Sequence, residues 1–463
     1  MKKVIINKQG AKNVFFDAHM HAYNLSHPNI GAFLGRLINI KLLIGVMAGI
    51  IFANIGILII ILFINPYVEL KLVLIIALCL VDLLVLALVL IINRTKLMNF
   101  IRIMDYSIGP YFLQIEEDIM QYTKSQKIKG EKKNYLEFDN MKFDRYALIP
   151  LMMHFTNDKR RKEENRKKGR YALARKSIQE QTVDLFQGIR YYYENSDTKL
   201  LKFYPFMGIT LNNDTYDMEH LRKVLCKYFC CFPFEHRSTL LYDEHVKFDG
   251  DIDKLKCPTF TGIKVYPPLG FDPWPDRNDF SSESELEKAK FLYEFCEKRS
   301  IPIVTHCGGK GYNSIDNKRY KRFGSPGGKW QEVLKKYKHL RICFAHFGPE
   351  ITVGEKDSWT DMIMELILND DYPNVYTDIS CRCYNEKDFK LLMEAVRHKA
   401  DQRGVLESRI YDYILYGTDF PMNIKKGGTY GTYLNAFLEV DMPPELKNKL
   451  CNVNPRKFLF NES

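Results

Sequence analysis

The stretch Phe15-Phe16-Asp17-Ala18-His19-Met20-His21 decides how the chain is read. Successive side chains of a strand point to opposite faces, so a strand here places Asp17, His19 and His21 on one face, with two imidazoles on adjacent inward positions. Two histidines alone hold a metal weakly, and further ligands must come from the ends of other strands. Three stretches offer them: Pro302-Ile303-Val304-Thr305-His306-Cys307-Gly308, Ile342-Cys343-Phe344-Ala345-His346-Phe347-Gly348, and Ile414-Leu415-Tyr416-Gly417-Thr418-Asp419-Phe420-Pro421. Each is a short apolar run that ends in one metal-competent residue followed by a turn former. A neutral imidazole and a carboxylate suit a borderline divalent ion, Zn²⁺ first, with Mn²⁺ or Fe²⁺ also fitting.

The rest of the chain supplies further strands, at Tyr146–His154, around Phe203–Ile209, around Phe260–Tyr266 and near Val375–Ile379. Helical patterns lie between them, near 177–195, Glu283–Lys298, Trp359–Leu368 and Asp388–His398, and residues 97–126 also read as helix, broken at Gly109-Pro110. Eight strands alternating with helices predict a (β/α)8 TIM barrel. Functional residues of such barrels sit at the C-terminal ends of the strands, where His19, His21, His306, His346 and Asp419 all fall.

These motifs resemble the metal-dependent amidohydrolase superfamily, and within it the amidohydrolase-related branch that includes carboxymuconate-semialdehyde and resorcylate-type decarboxylases. The matching features are Asp-x-His-x-His on the first strand, a lone His ending a middle strand, Ala-His-Phe-Gly, and Gly-Thr-Asp-Phe-Pro on the last strand. Smaller echoes are Gly262-Ile263-Lys264-Val265-Tyr266-Pro267, Ser325-Pro326 with Trp330, and Asn454-Pro455-Arg456. The resemblance covers residues 13–22 and about 140–460. It implies that His19, His21, His306 and Asp419 are the ligands of one divalent metal, that Asp419 also takes a proton from water, and that His346 is the acid or base. Some members of the superfamily carboxylate a lysine on the fourth strand to bridge two metals, which leaves Lys264 open as a ligand to a second ion. Its other role is to bind a substrate anion, together with Tyr266, Lys310 and Arg382. Metal-activated hydrolysis of a C–N or C–O bond is the leading expectation, decarboxylation at the same site the second, and a non-catalytic binding module the third.

Residues 31–100 stand outside the resemblance. Two stretches, 42–64 and 72–92, are almost wholly apolar and long enough to cross about 30 Å of hydrocarbon. They predict an inserted transmembrane hairpin between a first segment, 1–30, and the remainder of the barrel, 101–463. Arg36, Lys41, Arg94, Lys96 and Arg102 flank it and place the barrel on the cytoplasmic side. Asn54 and Asp82 lie equally far from the turn, so a hydrogen bond between them is expected. The basic run at 159–170 adds attraction to an anionic leaflet, and the hairpin could also serve self-association.

The net charge of +11 is moderate. The basic run lacks aromatic interleaving or any reader motif, which argues against nucleic acid as a partner. The 11 cysteines show no paired metal-ligand spacing and suit reduced thiols better than a disulfide framework. The apolar stretch starts too late and runs too long for a cleavable leader.

Overall fold

The computed structural model describes residues 14–24, 27, 48–50, 52–57, 59–60, 68–92, 107–128, 131–155, 176–211, 217–229, 248–255, 257, 259–276, 280–309, 311, 315–422 and 428–461. Its centre is a set of short parallel strands: β1 (Val14–Met20), β5 (Arg145–Pro150), β6 (Leu201–Phe203), β7 (Phe206–Gly208), β8 (Gly262–Val265), β9 (Ile303–Thr305), β10 (Ile342–Phe344), β11 (Val375–Asp378) and β12 (Ile414–Leu415). They form two sheets, ordered β1-β5-β6 and β12-β11-β10-β9-β8-β7. β6 and β7 are one path interrupted at Pro205, which has no amide hydrogen to donate to a ladder.

Backbone bonds join the sheets at both borders. On one side Ala18 N donates to Tyr416 O (2.9 Å) and His21 N to Phe420 O (2.8 Å); on the other, Leu151 bridges Phe206 and Met152 N donates to Phe206 O (3.0 Å). Buried on both faces, these strands read as apolar runs rather than alternations. One set of alternate side chains, including Phe16, Ala147, Phe206, Val304, Cys343, Tyr376 and Leu415, packs together over Phe458 and Phe460 of the last helix. The other set packs under the surrounding helices, whose apolar stripes supply Leu185, Leu292, Ile363 and Leu392.

The helices fall where periodicity places them: α3 (Ile178–Asn195), α5 (Phe280–Lys298), α6 (Trp359–Leu368) and α7 (Glu386–Arg403), with α4 (Met218–Phe229) between β7 and β8. Start signals are local. Ser177 and Glu180 form a capping box on α3, and Ser358 and Asn385 cap α6 and α7 through their side chains.

Residues 97–126 differ from expectation. Gly109-Pro110 opens helix α2 (Ile108–Met120) instead of breaking one, because proline in a first turn removes only an amide that has no intrahelical partner. The chain then forms an antiparallel meander, β2 (Thr123–Ile128), β3 (Glu131–Phe138) and β4 (Met141–Phe143). Leu136 and Phe138 of β3 and Phe143 of β4 face the core, while β2 and the first half of β3 are lysine-rich.

The predicted membrane hairpin is corrected. Helix α1 (Val68–Ile92) covers the second apolar stretch, while the first is described only at 48–50, 52–57 and 59–60. Among the described residues no helix is long and apolar enough to cross a membrane. A two-span membrane location with a cytoplasmic barrel is therefore overturned, and the lipid and self-association roles expected of the hairpin have no support. The basic run at 159–170 lies outside the described residues. The polar pairing is found: Asn54 Nδ2 donates to Asp82 Oδ2 at 3.1 Å. The described cysteines are free thiols, with Cys226 exposed on α4.

Candidate metal centre

β1 carries both histidines of the opening motif to the same end of the sheet. Its register against β5 shifts between Asp17 and Met20, an irregularity of the kind that re-aims a side chain. His19 and His21 are both buried, at 0% and 2% exposure.

Each ring has one nitrogen tied down. His21 Nδ1 lies 2.7 Å from the carbonyl oxygen of Leu151, which can only accept, so Nδ1 carries the proton and Nε2 a lone pair. His19 Nδ1 lies 2.8 Å from Asp378 Oδ2, which fixes the same tautomer. The two Nε2 atoms face Asp419 Oδ1, at 3.3 Å from His21 and 3.5 Å from His19. His19 Nε2 is buried with no hydrogen-bond partner. Three lone-pair atoms converge with no proton between them, an arrangement that a cation resolves. His19, His21 and Asp419 thus form a group whose donor atoms lie within 4.8 Å of one another. Burial, then the charge of Lys264 and the neighbouring His21, holds the His19 imidazole well below its usual range and therefore neutral. That is the state in which a histidine ligates.

Asp17 shares the motif but serves as a brace. Its carboxylate accepts from His19 N (3.2 Å), Thr418 N (3.0 Å), Thr418 Oγ1 (2.7 Å) and Tyr430 Oη (2.8 Å), joining β1 to the turn that presents Asp419. Burial pushes the Asp17 carboxyl up to about 7, with those donors pulling the other way.

His346 and His306 form the next rank. Ring centroids run from His21 to His19 at 5.4 Å, His19 to His346 at 4.7 Å and His346 to His306 at 4.8 Å. His346 Nδ1 lies 2.8 Å from Ser380 Oγ and 3.1 Å from Ser380 O, and its Nε2 is 3.1 Å from His306 Nδ1. The expected ligand His306 is therefore placed against His346, not in the group of His19, His21 and Asp419. Its ring also lies 4.6 Å from that of Tyr266. A Cβ built on Gly311 would come 2.6 Å from Tyr266 Oη and 3.2 Å from His306 Nε2, so the backbone at Gly311 lies close to both.

Of the candidate anion binders, Lys264 is the most telling. Its Nζ is buried without a hydrogen-bond partner, and burial pushes its pKa down to about 8 although Asp378 and Asp419 pull it up. Tyr266 follows it in the chain, Lys310 lies outside the described residues, and Arg382 is spent on backbone carbonyls. Phe271 stacks on Trp330 and Trp274 lies under Lys336, so both pack against the neighbouring helix.

Sequence reading missed Asp378 and Ser380. Asp378 accepts from His19 Nδ1, from His346 N (3.0 Å) and from Ser380 N (3.1 Å), and so orients two imidazoles at once. The signal was available: Val375-Tyr376-Thr377-Asp378 is another apolar run ending in a carboxylate at a strand terminus. The second cluster, His19, His346 and Asp378, owes its closeness to these orienting bonds.

Comparison with known proteins follows the same lines. No curated protein matches the chain. Among solved structures, a probable 2-pyrone-4,6-dicarboxylic acid hydrolase from Acinetobacter baumannii is 12% identical, with 69% of this chain and 84% of that one covered at a TM-score of 0.38. A 2,6-dihydroxybenzoate decarboxylase from Rhizobium is 11% identical, covering 68% and 83% at 0.35. A manganese-bound 5-carboxyvanillate decarboxylase from Novosphingobium aromaticivorans is 12% identical, covering 68% and 77% at 0.35. Likenesses this distant carry no argument about the reaction. The Amidohydrolase family model matches residues 249–460, the part that holds His306, His346, Asp378 and Asp419, and over that part the chain is amidohydrolase-like.

Proposed function

We propose that this chain is a metal-dependent hydrolase of the amidohydrolase type, acting on a C–N or C–O bond of a small anionic substrate from a (β/α)8 barrel. One observation carries the reading: two buried imidazoles, each with its Nδ1 tied, aim their Nε2 lone pairs at the carboxylate of Asp419. His19, His21 and Asp419 would hold one divalent ion, Zn²⁺ or else Mn²⁺ or Fe²⁺. When bound, such an ion supplies Lewis acidity and brings the pKa of water to about 7. Asp419 takes up the water's proton at its carboxylate and returns it to the leaving group, and His346, neutral and buried beside His19, offers its bare Nε2 as a base. Lys264 binds the substrate's negative charge, with Tyr266 and Lys310 alongside.

One ion is favoured over two. A second would draw on His19, whose Nδ1 is already committed to Asp378. His306 donates through Nδ1 to His346, which places its ring against that imidazole and outside the group of His19, His21 and Asp419.

The unpartnered ammonium of Lys264 supports a second reading, in which a carboxylated substrate loses CO₂ at the same site. The test is metal content beside product analysis. Wild type is expected to hold about one ion per chain, lost in His19→Ala and Asp419→Ala. A panel of lactones, amides and carboxylated phenols is then screened, where release of CO₂ without a hydrolytic fragment selects the second reading. A metal-free protein under metal-replete conditions refutes both.

A further inference from the structure

Arg382 was expected to bind substrate, but its geometry points elsewhere. The turn after β10 has left-handed backbone at His346 (φ 69°, ψ 11°) and at Phe347 (φ 52°), a region non-glycine residues rarely adopt. Such a turn persists only where its surroundings hold it. The segment leaving β11 does so with three alternate residues. Asp378 Oδ1 accepts the His346 amide at 3.0 Å, and Ser380 accepts His346 Nδ1 through both its hydroxyl and its carbonyl. Arg382 Nε donates to the carbonyls on either side of Phe347, His346 O at 3.2 Å and Gly348 O at 3.0 Å. Its Nη1 turns back to Cys381 O at 3.4 Å. Thr360 Oγ1 completes the hold on Phe347 O at 3.1 Å.

We infer that Arg382 is a positioning residue for His346: its guanidinium neutralises the carbonyl dipoles of the left-handed turn and so fixes the imidazole as one rotamer and one tautomer. The inference rests on His346 as the acid or base, but its structural content can be checked without substrate or metal. A carbonyl carries partial negative charge and the two here point to one side, which leaves a fixed cation as the partner they require. Lysine, with a single compact ammonium, cannot reproduce the planar donor at Nε.

The experiment is long-range ¹H–¹⁵N correlation of histidine-labelled protein in its metal-free form, with the His346 signals assigned through His346→Gln. Wild type is expected to show His346 with Nδ1 protonated and Nε2 bare. In Arg382→Gln that pattern is expected to give way to a mixture of tautomers, while the signals of His19 and His21 stay in place. Arg382→Lys should fall between the two, and Ser380→Ala should disturb the same His346 signals as a positive control. Unchanged His346 signals in Arg382→Gln would overturn the inference. So would a common displacement of all histidine signals, which would make Arg382 a general brace of the fold. A failure to bind metal would refute the proposed function without touching this result.

Discussion

Replacing Asp378 with Asn tests the site through a group that need not touch the ion. Asp378 is buried, at 1% exposure, and its two oxygens accept from His19 Nδ1, His346 N and Ser380 N. Asparagine has one acceptor oxygen and one donor amide, so at least one of these bonds is lost and a neutral group replaces a charged acceptor. A hydrogen bond to a charged group contributes about 1.5–3 kcal/mol. If His19 depends on that bond for its ligating tautomer, the loss passes into metal affinity, where about 1.4 kcal/mol is tenfold. The expected result is a 10- to 100-fold weaker Zn²⁺ affinity, the range known for partners that orient metal-ligating histidines. Competition against a chromophoric chelator measures it, with thermal unfolding of the metal-free variant as control. Affinity within threefold of wild type, with the metal-free fold intact, would refute the claim that Asp378 sets the His19 tautomer.

Lys264→Met removes a buried ammonium that has no hydrogen-bond partner. Its pKa is held near 8 against an ordinary 10.5, so below pH 8 the charged group costs the fold up to about 3 kcal/mol, and the variant is expected to unfold at a higher temperature at pH 7. A lower melting temperature would contradict this. Gly417→Ala would bring a Cβ within 2.8 Å of His19 Cβ and 3.1 Å of His19 N, so it is expected to displace the ligand strand and weaken Zn²⁺ binding at least tenfold; unchanged binding in the same competition assay would show that the contact relaxes freely. His27 is paired with Asp184 at 2.7 Å, yet burial outweighs that carboxylate and holds its pKa below 6.5. Its contribution to stability is therefore present above pH 6.5 and is lost as pH falls toward the lower folded value; denaturant titrations of His27→Gln should show a flatter pH dependence in that window, and an unchanged slope would refute the assignment.

Most strand ends were legible because each chemically active residue terminates an apolar run, and that contrast survives in sequence. His19, His21, His346 and Asp419 declare themselves in this way. Asp378 did so too but was passed over, since a search for ligands does not ask what fixes the other nitrogen of a ligating ring. The left-handed turn at His346 could not be read, because it depends on side chains from the segment after β11. The third strand reads as one run, and only Pro205 hints that it is two. The meander at Thr123–Phe143 was hidden by the lysine-rich β2 and the start of β3, and its alternating residues, Leu136 with Phe138 and Met141 with Phe143, make a stripe too short to stand out. The hairpin shows the reverse case, where window hydropathy predicted two spans and no described helix is long and apolar enough to cross a membrane.

The donors of the proposed centre lie about 400 residues apart in sequence, His19 and His21 at the end of β1 and Asp419 in the turn after β12. A contact that far apart in sequence closes a long loop, and the entropy of closing it opposes the contact. A ribosome must therefore deliver the chain through the turn after β12 before the third donor exists. Ion capture would then act as a clasp between β1 and the turn after β12: a product cut short before Asp419 that carries both histidines would remain unlatched, and metal loading would report that the two stretches have met.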